Sequence, residues 1–340
     1  MDKAPRLAAA RGCLSARAPA RRSPRRFGVV ARATPSQTGY AAIEDAMEKV
    51  RQLPPSEKAE ELTRATAVVR DALNALKAAN EVAVWDSYRT LERRNVFPRE
   101  FTNVGVKNAE SISKPSDAND ARFMFAVTMS TSLLAVIVGA TLPGDWGAFG
   151  AYFIGGISLV VLAVGSTAPG LLKVAIDRFS RVNPEYRRRI ARHEAGHFLV
   201  GYALGVPVGS YDLGIDSSHV NFLEAKLERK IFEGDKLTPD EVLPLAVVSM
   251  SGVAAEAVEF DEVMGQTADL YDLQRILNRV NPKLSDAQQQ QTTRWAVYQA
   301  ASILKTHRAA WDVLTEKMQQ GATVVDCLKA IESAPKAVEK

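Results

Sequence analysis

Residues 192–201 read RHEAGHFLVG and set His193 and His197 four positions apart, with Glu194 beside the first. On a helix, side chains at this spacing lie on one face about 6 Å apart. Both imidazoles can then present a nitrogen to one ion, while Glu194 stands beside that face as a proton acceptor. The chain has only four histidines, so the pairing is informative. A catalytic zinc takes three protein ligands and keeps one position for water, whose pKa it lowers to about 7. The HExxH pattern supplies two of those ligands and the general base. A third ligand is required, because a two-histidine helix without one is a structural feature or a weak metal site.

The run LAVVSMSGVAAEAVEFDEVMGQTADLYDLQRIL at 245–277 offers carboxylates for that place. Asp269 falls in GQTAD, where a loop meets a new helix, and Glu256, Asp261 and Asp272 compete with it. A carboxylate is an acceptable zinc ligand beside two imidazoles. This run resembles the second signature segment of FtsH-type zinc metalloproteases, a small-residue helix ending in Ala-Ala-Glu followed by a Gly-containing loop and an Asp-Leu pair. The resemblance covers about residues 185–333, including WAVYQAASILKTHRAAWDVLTEKM, which is similar to the family's closing helices. It implies Zn2+ held by His193, His197 and Asp269, with Glu194 as catalytic base. Two departures bear on the groups that support the ligands. SGV (Ser251 to Val253) stands where the family has Gly-Gly-Arg, and YDLQ replaces the Ala-Thr that follows Asp-Leu. A third departure is an absence, since no GxxxxGK[ST] occurs in the chain. About twenty-five residues join the second apolar run to HEAGH, far below the roughly one hundred of a nucleotide-binding domain. The chain therefore resembles the plant and algal plastid subset that keeps the peptidase region without the ATPase.

Other reactive side chains weigh less. His219, in IDSSHVNF, reads as a solvated loop residue with a lesser claim on the site, and His307 as a surface residue of a C-terminal helix. Cys13 and Cys327 form no disulfide framework, and no serine has a nucleophile context.

These residues need elements to position them. NPEYRRRIARHEAGHFLVGYALG has a helical pattern, with Ile190, Phe198, Leu199 and Tyr202 as apolar positions. Upstream, two apolar runs at 123–142 and 148–168 flank PGDWG, and each has about the twenty residues that cross a bilayer as a helix. They predict a transmembrane hairpin whose second span packs through Ala151 and Gly155. Arg122 precedes the hairpin and Lys173, Arg178, Arg181 and Arg187 to Arg189 follow it, with no basic residue in the connecting loop. Both flanking parts should share the matrix or stromal side. Residues 40–95 read as an N-terminal helical segment, with Leu62, Ala65, Val69, Leu73 and Leu76 on one face. Residues 96–120 read as a polar linker.

The first 34 residues are rich in Arg, Ala, Ser and Pro and poor in acids, the composition of an organelle transit peptide. Eight arginines lie there, and the rest of the chain is mildly acidic, which removes the electrostatic case for nucleic acid. The expected architecture is mainly α: a transit peptide, a helical segment, a membrane hairpin, and an FtsH-like zinc peptidase domain over 180–333. The expected activity is hydrolysis of unfolded or membrane-associated proteins, without an ATPase of its own, on the stromal face of a thylakoid or inner-envelope membrane. A mitochondrial inner membrane is the alternative address. The alternative role is a non-proteolytic scaffold or quality-control factor for membrane complexes. Expected partners are protein substrates, the lipid bilayer, and FtsH-type ATPase/protease subunits or further copies of the chain.

Overall fold

A computed structural model describes residues 35–52, 58–112, 118–214, 218–223 and 237–335. The leader at 1–34 lies outside them. The fold is mainly helical and is organised around one buried helix, here called α6.

Among the described residues five α-helices precede it: α1 (Pro35–Gln52), α2 (Lys58–Ala78), α3 (Ala118–Thr141), α4 (Asp145–Thr167) and α5 (Pro169–Ser180). Helix α6 itself spans Pro184–Ala203. Asn183 starts α6 by accepting the Glu185 N–H at 2.9 Å, and Pro184 takes the first position, where its missing N–H costs nothing. From Ala191 onward nearly every residue of α6 is buried, so the helix lacks the polar face of a surface helix. A two-stranded antiparallel ribbon follows, β1 (Val208–Leu213) and β2 (Ser218–Phe222), with Tyr211 opposite Val220. The remaining helices among the described residues are α7 (Pro239–Ser249), α8 (Ser251–Glu259), α9 (Gln266–Leu277), α10 (Asp286–Thr306), α11 (Arg308–Gln319) and α12 (Val324–Ser333). Reciprocal capping boxes open α7 (Thr238 with Glu241) and α10 (Ser285 with Gln288).

Helices α6 and α8 touch because both are built from small residues. A Cβ added at Gly196 would lie 2.7 Å from Ala255 Cβ and 2.9 Å from the Ser251 carbonyl. Any larger side chain at 196 would push the helices apart.

Helices α3 and α4 form the expected apolar hairpin, both long and apolar enough to cross a membrane and almost wholly unburied. The small-residue contact runs lower than the sequence pattern suggests. Ala151 meets Gly139, and Gly150 meets Val138, whereas Gly155 faces open space. Thr131 and Ser158 join the two helices by a hydrogen bond between their hydroxyls.

The N-terminal segment is less separate than its composition suggests. Ala65, Val69, Leu73 and Leu76 are buried as a face, and the same core continues into α6 and the C-terminal helices. The polar-linker reading of 96–120 is corrected over 96–112. Val96, Phe101, Val104, Val106 and Ile112 are buried, and the Lys107 N–H donates to the Ala257 carbonyl at 3.0 Å. A few apolar side chains at irregular spacing inside a polar window suffice to anchor it. Because residues on both sides of the hairpin build one core, the chain enters and leaves the hairpin on the same side.

The join centres on Glu332 of α12. Its carboxylate accepts the backbone N–H groups of Ala83, Val84 and Trp85, at 2.6 to 3.2 Å, and the Tyr202 hydroxyl at 2.8 Å. Trp85 packs on Tyr202 with ring centroids 5.2 Å apart. Replacing Glu332 by Ala strands these donors, and should cost roughly 2 kcal/mol of stability. Denaturant unfolding of the detergent-solubilised chain, followed by circular dichroism, should show a lowered midpoint. An unchanged midpoint would dismiss Glu332 as the anchor.

Candidate metal centre

His193 and His197 project from one face of α6, and Asp269 reaches them from the first turn of α9. The two Nε2 atoms are 3.2 Å apart. Asp269 Oδ2 lies 3.4 Å from His193 Nε2, and Oδ1 lies 3.4 Å from His197 Nε2. Three potential ligand atoms therefore converge on one point, in a cluster of metal-binding dimensions.

The other nitrogen of each imidazole is committed. His197 Nδ1 is 2.9 Å from the Val248 carbonyl, which can only accept, so Nδ1 carries a proton and Nε2 is the nitrogen left to face the cluster. The Ser251 hydroxyl donates to the same carbonyl at 2.6 Å. His193 Nδ1 is 2.8 Å from Glu256 Oε1. Glu256 is buried and also accepts the N–H groups of Met264 (2.8 Å) and Gly265 (3.0 Å), and it pairs with Arg189 at 3.2 Å. A carboxylate so engaged orients a ligand and has no lone pair aimed at the cluster.

The third-ligand competitors separate on this geometry. Glu256 supports His193 from behind. Asp272 is exposed at the rim of the cleft and pairs with Arg275 at 3.4 Å, and Asp261 is exposed beside Lys107. Asp269 alone among them points at both Nε2 atoms. Its Oδ2 is steadied by the Val253 N–H at 3.2 Å. At the SGV departure, therefore, the main chain makes this contact, and the N–H of any residue other than proline could supply it.

Gly252 forms the floor. A Cβ there would sit 2.5 Å from His197 Nε2 and closer still to His193 Nε2, so the absent side chain leaves the space an ion needs. Sequence reasoning marked Ser251 to Val253 only as a departure and assigned no role to Gly252, Ser251 or the Val248 carbonyl, although SGVAAE carried the signal as a run of small residues. The ribbon was also missed. His219 lies on β2 and lines the cleft, and is not on a loop. His307 is half-buried between α10 and α11, edge-on to Tyr88 at 5.9 Å, and is not on the surface.

Burial alone would lower the imidazole pKa values, but the Asp269 carboxylate overrides it at both, and Glu256 adds to the effect at His193. His193 is raised well above 6.5 and His197 is raised. Burial pushes Asp269 up, and the two imidazoles outweigh it and hold the carboxyl below its usual range.

The cluster opens into a cleft of about 600 Å³ whose lining includes Glu194, Tyr186, Leu245, Val220 and Phe222. Glu194 is buried, and its carboxylate has no hydrogen-bond or ion-pair partner among the described residues. No family model, curated protein or solved structure matches the chain.

Gly252→Ala should abolish metal binding as fully as His193→Ala or His197→Ala while removing no ligand. Asp269→Asn should weaken binding more than Asp272→Asn or Glu256→Gln. Metal content after equilibrium dialysis checks the series, and tight binding by Gly252→Ala would refute the assigned position of the ion.

Affinity should also fall as pH falls. Both imidazoles must lose protons to bind, and their raised pKa values extend that competition above pH 6.5. Below both values the loss should reach about 100-fold per pH unit, from two protons released per ion. Calorimetric zinc titrations across pH 5.5–8 check it, and a flat profile would exclude these histidines.

Proposed function

We propose that the chain is a membrane-anchored zinc metallopeptidase of the FtsH-like type. It hydrolyses unfolded or membrane-associated polypeptides on the stromal face of a thylakoid or inner-envelope membrane. The observation that carries this reading is the convergence of His193, His197 and Asp269 next to the unpartnered carboxylate of Glu194. The plastid address rests on the leader's composition, and the anchoring on the two apolar helices.

The donor set fits zinc. Ligand atoms about 2.0–2.1 Å from a tetrahedral ion lie about 3.3 Å from one another, and the separations here are 3.2 and 3.4 Å. Two imidazoles and a carboxylate, each imidazole held through its other nitrogen, form a three-protein-ligand set of the catalytic kind. Bound there, zinc would supply Lewis acidity that polarises a carbonyl and makes water a nucleophile near neutral pH.

The chain's own residues do the rest. Glu194 takes the proton of the attacking water and is placed to return it to the leaving amine. Its freedom from hydrogen bonds keeps its carboxylate available for that transfer. His193 and His197 are locked in rotamer and tautomer by Glu256 and the Val248 carbonyl, so little reorganisation is left for the reaction. β2 contributes Ser218, His219, Val220 and Phe222 to the cleft wall. An extended substrate segment can pair with backbone groups of β2 while its side chains contact Leu245 and Phe222.

Such a cleft accepts extended chain only. Unfolding a substrate domain costs roughly 5–15 kcal/mol, and no nucleotide-binding pattern in these 340 residues couples ATP to that work. The purified chain should therefore cleave casein and spare a stably folded fluorescent protein, with or without ATP. Glu194→Gln should keep its zinc and lose casein cleavage by roughly 100- to 10,000-fold. Zinc-loaded wild type that cleaves nothing would replace the peptidase with a zinc-bearing scaffold, and ATP-driven loss of the folded substrate would refute autonomy from ATP.

A further inference from the structure

Helix α5 is too apolar on its exposed side for a water-facing connector. Leu171 is 69% exposed and Phe179 67%, and Val182, just beyond the helix, is 78% exposed. Leu171, Ala175 and Phe179 follow one another at four-residue steps and so share a face. Arg178 borders that face and is exposed. At the border of that face Ile176 is buried, and Arg181 beyond the helix is turned into the protein.

The direction of α5 follows from three contacts. Gly139 meets Ala151, Val138 meets Gly150 and Thr131 meets Ser158. This antiparallel register puts Phe123 level with the last turn of α4. Phe179 stacks near Phe123, with ring centroids 5.9 Å apart. A straight continuation of α4 would carry Phe179 about 20 Å beyond that level. The helix instead breaks at Ala168, whose φ of −140° and ψ of 64° lie outside the helical region before Pro169. Leu172 then folds back onto Gly165. Helix α5 begins and ends at one depth, so it runs across the base of the hairpin.

We propose that α5 is an interfacial helix that lies in the headgroup layer of an anionic bilayer, with Leu171, Phe179 and Val182 inserted at the acyl boundary. This rests on the reading of α3 and α4 as membrane spans. The apolar ridge is continuous with the exposed surface of those spans, and Arg178, with the exposed Arg187 three residues into α6, supplies charge that favours anionic lipid. The seat also fixes the cleft. Arg181 donates to the carbonyls of Leu213 and Gly214 and lines the cleft wall. The metal centre is thereby held beside the membrane surface, where its substrates are segments emerging from the bilayer.

The test uses the full chain with both native cysteines replaced by serine. Single cysteines at Leu171, Phe179, Glu185 or Ile137 carry an environment-sensitive nitrobenzoxadiazole label. Each variant is reconstituted into vesicles of phosphatidylcholine, alone or with 30% phosphatidylglycerol, containing lipids spin-labelled at shallow or deep acyl positions. Labels at 171 and 179 should emit to the blue of the label at 185 and be quenched more by the shallow probe. Phosphatidylglycerol should strengthen that quenching, and Arg178→Glu should reduce the gain. The label at 137 should be quenched by the deep probe, which tests the span reading by itself. With 137 deep, water-like emission at 171 and 179 overturns the proposal. So does blue emission without quenching by either lipid probe, because protein then covers the face. Deep quenching at 179 would make α5 part of a span and overturn it as well.

Discussion

The distance between α6 and α8 is the constraint on which the rest of the site depends. Gly196 lets Ala255 and the Ser251 carbonyl come within contact, and from that approach α8 reaches everything the cluster needs. Gly252 leaves the space between the two Nε2 atoms. Glu256 holds His193, the Val253 N–H steadies Asp269, and the Ser251 hydroxyl shares the Val248 carbonyl with His197. Widening the helix pair by the volume of one methyl group would disturb all of these contacts together. Small residues at this interface therefore matter as much as the ligands.

Such closeness buries charge, and buried charge is costly unless it is compensated. Glu256 is compensated by His193, two backbone N–H groups and Arg189, whose guanidinium also lies 4.0 Å from the Phe260 ring centre. Among the described residues Asp269 is compensated only by the imidazoles and one N–H. The balance at Asp269 is thus the one that depends on what sits between the imidazoles, protons or a cation. Glu194 makes no hydrogen bond or ion pair with this network among the described residues, although its charge helps to raise the pKa of His197.

The sequence was legible where chemistry and periodicity coincide. The four-residue step from His193 to His197 fixes their common face once α6 is a helix, and the two apolar runs are read from length alone. The third ligand was not fixed by local pattern, because Glu256, Asp269 and Asp272 all lie near helix faces or starts. Only the packing of α8 and α9 around α6 shows that Glu256 meets Nδ1 and Asp269 meets Nε2. The ribbon escaped notice because VGSYDL and SHVNF are short and weakly alternating, so a solvated loop fitted His219 equally well. The docking of 96–112 escaped notice because Phe101 and Val104 sit within a polar window whose average describes its exposed residues.

The hairpin is connected to the metal centre by a short chain of contacts. Arg122 at the base of α3 lies 3.7 Å from Glu262, and the Glu262 carbonyl accepts from Arg189, which pairs with Glu256 behind His193. The links differ greatly in strength. Arg122 and Glu262 are both well exposed, and exposed ion pairs are worth about 0–1 kcal/mol. Glu256 is buried and Arg189 mostly covered, and both are hydrogen-bonded, so loss of one partner costs more than at the exposed pair. Ligand geometry is therefore set inside the domain by α6, α8 and α9. The base of the hairpin is too weakly tied to Glu256 to alter that geometry, and its part is to set where the cleft sits.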